Sequence, residues 1–533
     1  MGEEPSLEDR IASLVHAHFN ALPERSKPKI HANGKREWIP LSGIVLVTGE
    51  NTPQEELTCV ALATGAKCLS QSQISNCQGL VLHDGHAEIL ALRAFNHWLL
   101  EECRSLLIRV REHQDGRQQL PEDGNIGSAS EPMASGSDEG NGVSGTRFLR
   151  WRKGVLSDAT GLKSRDIEKQ FAIGAWPPFE LVDDLSIWMY CTCAPCGDAS
   201  MELCMAAQED PTPWEVSSNC QGSSDEAPPT KQLLDGRAFF SILGVVRRKP
   251  SRADAEPTLS KSCSDKLAVK QVTSILSFPT SILVAPTQSA YIKNLLLPDD
   301  EISRVACDRC FGSGEGGRLK PLKNRIWSDS SAPGVEYVFR PFQVRSLPTD
   351  RFEELWQFGK SKDPTEAKNY KPGNISAVWT AAPSHPCLSH SFKRPSPGTN
   401  LNETLVNGVR QGYHVSSSNS RKASAISRAR MWDLLREVME LLPTPLLGNR
   451  NASTLDTYGL LKQRAAEVGS IKIRSEVLAD VREVLGNWIR NRGDDSWSLG
   501  VLKESKPFET RRQAQASSEK IANDAKVDKN TRY

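Results

Sequence analysis

The sequence lacks a long apolar run. Residues 1–11 are polar and acidic, and nowhere is the chain hydrophobic for the roughly 20 residues that crossing a bilayer takes. This argues against a secretory leader or a helical anchor in these residues. It sets the expectation of an intracellular protein, nuclear or cytoplasmic, with reduced thiols. Net charge is missing too: 66 basic and 65 acidic side chains leave +1, so the whole chain is not the polycation that counterion release would reward. A nucleic-acid surface must therefore be local. Two runs offer one, Arg147, Arg150, Arg152 and Lys153 around Phe148 and Trp151, and Arg247, Arg248, Lys249 and Arg252. Either run reads equally well as a solvated charged face. No internal repeat is present, and 13 cysteines, an odd number in a long chain, do not form the disulfide framework of a small secreted domain.

What is present is a chain of 533 residues, 38% hydrophobic and 25% charged, enough for one substantial core with long polar stretches. Residues near 114–146 and 208–231 are rich in Gly, Ser, Glu and Asp, residues 384–424 are polar, and residues 504–533 form a charged tail. These are expected to be disordered insertions or linkers. The expected organisation is an N-terminal helix and strand segment over 1–58 and one interrupted domain over 59–503.

Periodicity predicts a helix over Glu8 to Leu22, with Ile11, Leu14, Val15 and Phe19 on one face. It predicts a strand over Trp38 to Val47, broken by Pro40 and Gly43, and further strands over Leu57 to Leu62 and Leu80 to His83. From His86 the period changes, and Ile89, Leu92, Phe95, Leu99 and Leu100 line one face of a long helix that Asp84-Gly85 opens. Leu185 to Thr192 reads as a strand running into Pro195-Cys196-Gly197-Asp198, with a helix from Ala199 to Ala206. That arrangement would place Cys196 in the first turn of a helix, where the dipole favours a thiolate.

His86-Ala87-Glu88 has the H-x-E relation of zinc nucleoside deaminases. Catalytic zinc takes three protein ligands and keeps one position for water, and mixed His and Cys ligation suits its softness. Deamination then needs a proton moved to a ring nitrogen and to the leaving amine, which one carboxylate that is not a ligand can do. The P-C-x-x-C half of the signature fails, because Pro195-Cys196 is followed by Gly197, Asp198 and Ala199. From spacing alone the third ligand stays open among nearby Cys191, Cys193 and Cys204, and Cys193 to Cys196 itself spells C-x-x-C. A second C-x-x-C, Cys307 to Cys310, sits in a glycine-rich stretch with no partner pair and reads as an ordinary loop.

Three segments, Gly79 to Arg93, Tyr190 to Asp198 and Arg247 to Lys270, resemble the editase domain of the eukaryotic RNA adenosine deaminases. The likeness runs from about Cys59 to Trp497 and weakens after Ala290. In that family the third zinc ligand lies in a Ser-Cys-Ser-Asp-Lys segment, and this chain has Ser262-Cys263-Ser264-Asp265-Lys266. The resemblance thus implies zinc on His86, Cys196 and Cys263 with Glu88 moving protons. It implies a mixed α/β, cytidine-deaminase-like fold, a central sheet with zinc-bearing helices and a mainly helical C-terminal part. It also implies a core-bound inositol hexakisphosphate held by Arg93, Lys266, Lys462 and Lys472, with Tyr458 and Trp488 as aromatic neighbours. Leu92, Val269 and Asn491 depart from that pattern, standing where relatives carry cations.

Within the family the chain resembles the tRNA-acting branch, whose substrate is the adenosine 3′ of the anticodon in tRNA-Ala. Fewer than 60 residues precede the core, too few for a double-stranded-RNA-binding domain, and none is legible elsewhere. The RNA is therefore expected to be recognised by the catalytic domain itself, as a folded RNA with an accessible loop base, with no membrane and no obligate protein partner. Two other readings share the motifs: a cytidine deaminase acting on RNA or DNA, and a non-catalytic RNA-binding subunit with structural zinc. The distant third cysteine argues against the first, and Glu88 against the second.

Overall fold

The computed structural model describes residues 4–118, 145–152, 176–207, 234–235, 242–249, 256–361, 365, 368–384, 400–442, 457–467, 469–491 and 493–503. Residues 119–144 of the first expected insertion, all of 208–231, 385–399 of the third and the tail 504–533 lie outside these residues. Eight strands form one mixed sheet in the spatial order Gln343–Leu347, Ile292–Pro298, Leu185–Cys191, Leu41–Thr48, Glu56–Thr64, Ile375–Thr380, Asn402–Val406 and Val409–Arg410. The first two pairings are parallel and the rest antiparallel.

Alternation along the strands loads both faces of the sheet. In Leu185–Cys191, residues Ile187, Met189 and Cys191 join the larger core, in which Ala87–Gln118 packs on the sheet and Arg428–Leu441, Cys263–Thr273 and Gly469–Leu485 add an outer layer. Trp188 and Tyr190 point the other way, into a smaller core under the helices Leu7–Asn20 and Thr349–Leu355. The chemistry described below lies on the first side. None of the described helices is long and apolar enough to cross a membrane.

Several expectations from sequence are corrected here. The strand Leu41–Thr48 runs unbroken through Gly43, because Gly43 is where the helix Leu7–Asn20 touches the sheet: a Cβ there would sit 2.6 Å from Val15. The boundary expected at 58/59 falls inside Glu56–Thr64, which pairs with Leu41–Thr48 along its length, so the N-terminal residues are part of the central sheet. Leu80 to His83 is not a strand; the extended piece is Asp84–His86, paired with Ala66–Cys68. Polar residues 400–424 are not a linker. They form the last two strands of the sheet and a buried turn holding Ser420, Lys422 and Ser424.

Both basic runs are largely internal or paired; Arg147 is exposed but lies on Glu56, and Lys153 is outside the described residues. Leu149–Trp151 is a strand in which Arg150 pairs with Glu180 and Asp183, and Arg152 is buried with its guanidinium on the carbonyls of Pro177 and Pro333. Arg247 and Lys249 are buried in the core, and Arg252 lies outside the described residues. Alternating Arg and aromatic residues therefore read as strand periodicity, not as an RNA surface. Cys307 to Cys310 is helical, within Arg304–Phe311, with both thiols buried.

Candidate active site

His86 ends the short strand Asp84–His86, and Glu88 is the second residue of the long helix Ala87–Gln118. Cys263 is the first residue of Cys263–Thr273, whose N-cap Ser262 accepts a hydrogen bond from the Asp265 amide at 3.1 Å. It is thus Cys263, and not Cys196, that occupies a helix start. Cys196 precedes only a single turn at Asp198–Ser200 and the six-residue helix Met201–Ala206.

A loop, not a dipole, positions Cys196. Ser264 donates to the carbonyls of Pro195 and Cys196 at 2.9 Å, and its amide also reaches the Cys196 carbonyl. Gly197 has φ of 102°, and a Cβ there would lie 2.3 Å from Ser262 Oγ, so no other residue fits between the two cysteine segments. Asp198 is fully buried and bonded to Arg309. Every residue of Ser262 to Asp265 is used: Ser262 caps, Cys263 points into the cluster, Ser264 clamps the Cys196 loop, and Asp265 accepts from Ser262 and pairs with Arg318.

The structure brings His86, Cys196 and Cys263 together. His86 Nδ1 lies 3.7 Å from each sulfur. A tetrahedral zinc with bonds near 2.0–2.3 Å would place such donors about 3.6 Å apart, so the set fits that ion without rearrangement. The Cys263 thiol, with help from the Lys249 ammonium and His86, holds Cys196 well below the ordinary thiol range. Burial and the Cys196 sulfur push Cys263 the other way. The other thiols weighed from sequence do not join: Cys191 accepts from Ser42, and burial raises both Cys191 and Cys193.

Glu88 is 3% exposed and its Oε2 has no hydrogen-bond partner. Burial raises its carboxyl above the usual range, which keeps a proton within reach. A buried carboxylate oxygen with nothing to bond costs stability, and such a group marks a place built for something else.

Two residues of this site were missed from sequence, Asp84 and Lys249. Lys249 Nζ is 3.2 Å from Cys263 Sγ and 2.9 and 3.0 Å from the Asp84 carboxylate, which also accepts from the His86 amide and from Lys266. Burial alone would raise Asp84, but Lys249 and Lys266 hold it well below the carboxylate range. In sequence Asp84 looks like a helix opener and Lys249 like surface charge. The available signal is that each lies close in sequence to a candidate metal-ligand motif.

The adenosine-deaminase (editase) domain model matches residues 61–120 and 162–492. The chain belongs to that family. It is an enzyme that deaminates adenosine. The tRNA-specific adenosine deaminase 1 of Schizosaccharomyces pombe is 30% identical over 91% of this chain and 95% of its own length. Its namesakes from Saccharomyces cerevisiae and Homo sapiens are 24% and 23% identical, over 93% and 91% of this chain and 96% and 98% of theirs.

Next to the His86, Cys196 and Cys263 cluster, this adenosine deaminase holds a cavity of about 300 Å³ between the helices Ala87–Gln118, Cys263–Thr273, Arg428–Leu441 and Gly469–Leu485. Its wall includes Arg93, Lys266, Lys270, Arg428 and Arg482, with Tyr458 and Trp488, and no carboxylate. Burial pulls Arg93 and Arg482 down to about 10 and Lys270 well below the usual lysine range. Lys462, expected at this site from the resemblance, does not line the cavity: it is exposed, with its ammonium 5.6 Å from the Tyr458 ring centroid.

Lys472 is a correction: it lies on the surface, 2.8 Å from Asp329, and does not face the cavity. Leu92 and Val269 do line it, while Asn491 accepts a hydrogen bond from Lys261 instead. Lys270, Arg428 and Arg482 were not legible beforehand, because the three helices that contribute them meet only in the fold.

Proposed function

We propose that the protein is a zinc-dependent tRNA adenosine deaminase, converting adenosine beside the anticodon of tRNA-Ala to inosine. The observation that carries this reading is the set His86, Cys196 and Cys263 at zinc-ligand separations with the unpartnered Glu88 oxygen beside it. Supporting the RNA class, three relatives named as tRNA-specific deaminases match over nearly their whole length.

His86, Cys196 and Cys263 would hold the zinc, which lowers the pKa of a bound water to near neutrality. Glu88 would take the proton of the attacking water on Oε2, deliver it to the adenine ring nitrogen, and hand the second proton to the departing amine. Adenosine and water become inosine and ammonia. Lys249 would lower the cost of two adjacent thiolates, and Asp84 would keep that ammonium in place.

The cavity beside the site would take inositol hexakisphosphate. Five buried or half-buried cations line a wall without a carboxylate. Lys266 and Arg428 pair with Asp84 and Asp494 behind it, but Arg93, Lys270 and Arg482 have no carboxylate partner among the described residues. That excess calls for a compact polyanion, since like charges in a low-dielectric interior are otherwise destabilising. The test is incubation of purified protein with unmodified tRNA-Ala transcript, alongside Glu88→Ala, reading inosine by sequencing. Inosine next to the anticodon with wild type alone supports the reading. None, with zinc bound, overturns the substrate.

A further inference from the structure

We propose that the two-stranded ribbon of Arg36–Trp38 and Tyr370–Pro372, with Lys67 beside it, is the surface on which the phosphate backbone of the RNA substrate docks. This rests on the reading of the enzyme as one acting on a folded tRNA. The ribbon stands apart from the eight-stranded sheet and pairs Arg36 with Tyr370, Glu37 with Lys371 and Trp38 with Pro372. Three distant stretches of chain converge there, bringing Lys29, Lys35, Arg36, Lys67, Lys360, Lys368 and Lys371, all exposed. The one acid on the ribbon, Glu37, is buried; it accepts from the Lys29 amide at 3.0 Å and lies 3.5 Å from Lys371. By sequence the connection 362–367 adds Lys362, Asp363 and Glu366, which takes back a single charge.

Several exposed cations elsewhere are instead neutralised by carboxylates. Arg10 pairs with Glu55, Lys293 with Glu50, Arg345 with Glu8, Arg147 with Glu56, and Arg351 with Asp9 and Glu354. In a chain of net charge +1, an unneutralised group of lysines is a local excess, not a general property. Lys35, Arg36 and Lys368 have no carboxylate partner among the described residues.

The ribbon also lies where a substrate must pass. Lys67 stands opposite Gly85, next to the ligand His86, and its ammonium bonds to Asn374, two residues past the ribbon. Lys360 sits 4.4 Å over the Trp38 ring, and its charge acts on Cys193 together with that of Glu88. Glu88 is buried, so a base that reaches it brings its flanking phosphates against the rim. Phosphate contacts of this kind fix register and orientation without reading sequence, which suits a domain that must hold a loop by itself.

The test compares wild type with the triple variant Lys35→Gln, Arg36→Gln, Lys368→Gln, and with a charge-matched control, Lys293→Gln, Lys320→Gln, Arg345→Gln, taken from paired sites. Binding of labelled tRNA is measured against salt, and inosine formation is followed on the same preparations, with zinc content and melting temperature checked. For the ribbon variant, Kd should weaken about 10-fold near 0.1 M salt, and the slope of log K against log salt should fall by about two to three; the control should move less than about 2-fold. An unchanged slope in the ribbon variant, or an equal change in the control, overturns the docking surface even if wild type forms inosine. A ribbon-dependent slope without inosine upholds the surface and sinks the tRNA-deaminase reading instead.

Discussion

The candidate metal-ligand cluster and the neighbouring cavity share Lys266 and are both buried, yet their charges are settled differently. In the cluster the protein supplies both signs: two cysteine sulfurs and Asp84 face His86, Lys249 and Lys266. In the cavity wall it supplies one, with Arg93 and Lys270 donating to backbone carbonyls, Arg482 over the Trp488 ring, and Arg428 paired at 3.2 Å with Asp494, which stands outside the wall. A site that balances its own charge can form before its ion arrives. A site of one sign needs its ligand in order to fold. The difference teaches that the metal is expected to be exchangeable and the polyanion structural.

The largest expected effect falls on the cluster. Glu88→Ala should lower deamination by about 10⁴ or more, since a general acid-base group contributes about 10² to 10⁴ and this one serves more than one transfer. Zinc content and melting temperature should stay near wild type. Activity within 10-fold of wild type would sink the mechanism. Cys263→Ser should then lose most of the zinc by elemental analysis, while Cys193→Ser keeps it, because only the former has its sulfur 3.7 Å from His86 Nδ1. The reverse result would mean that the wrong thiol was assigned.

The two regions also differ in how far they could be read from sequence. His86 and Glu88 lie in one short motif spanning a strand end and a helix start, and Cys196 stands in a legible Pro-Cys motif, although the contacts that hold Cys196 come from Ser264, far along the chain. Cys263 needed the family likeness, because its distance from Cys196 in sequence says nothing of their contact through Ser264 and Gly197. The cavity resisted because it is assembled from four helices. Residue matching found Arg93 and Lys266 beside the metal motifs, misplaced Lys472, and had no way to see Lys270, Arg428 or Arg482. For the fold, periodicity found the helices Leu7–Asn20 and Ala87–Gln118 and the strand Leu185–Cys191. It failed where a strand is polar, at Asn402–Val406, and where a glycine marks a close contact and not a break, at Gly43.

The cavity gives the next effect in size. Lys270→Met should release the polyanion and cost about 3–5 kcal/mol, the scale of removing one member of a buried charge constellation. Mass spectrometry of denatured protein should find inositol phosphate in wild type and in Lys472→Ala, and little in Lys270→Met. Because Lys472 only meets Asp329 at the surface, Lys472→Ala should melt with wild type. If Lys472→Ala lost the polyanion and Lys270→Met kept it, the wall would be wrongly drawn.

The smallest effect tests whether a buried ionisable group without a partner charge behaves as a simple burden on the far side of the sheet. His16 is packed under the sheet with Nε2 2.9 Å from the Tyr190 hydroxyl, and burial, aided by Arg351, lowers its pKa to about 4. The unfolded chain takes up a proton at His16 below about 6.5, which the folded protein refuses until about 4. Stability from this residue is therefore complete above pH 6.5 and lost as pH falls towards 4, by about 3 kcal/mol in all. His16→Gln can keep a bond to Tyr190 but does not titrate. The stability difference between wild type and His16→Gln, measured by urea unfolding at steps from pH 7 to 3, should shrink or reverse by that amount down to about pH 4 and level off below it. A difference that is flat with pH would mean that His16 already carries its proton when folded, and that even the side of the sheet without chemistry holds a compensated charge.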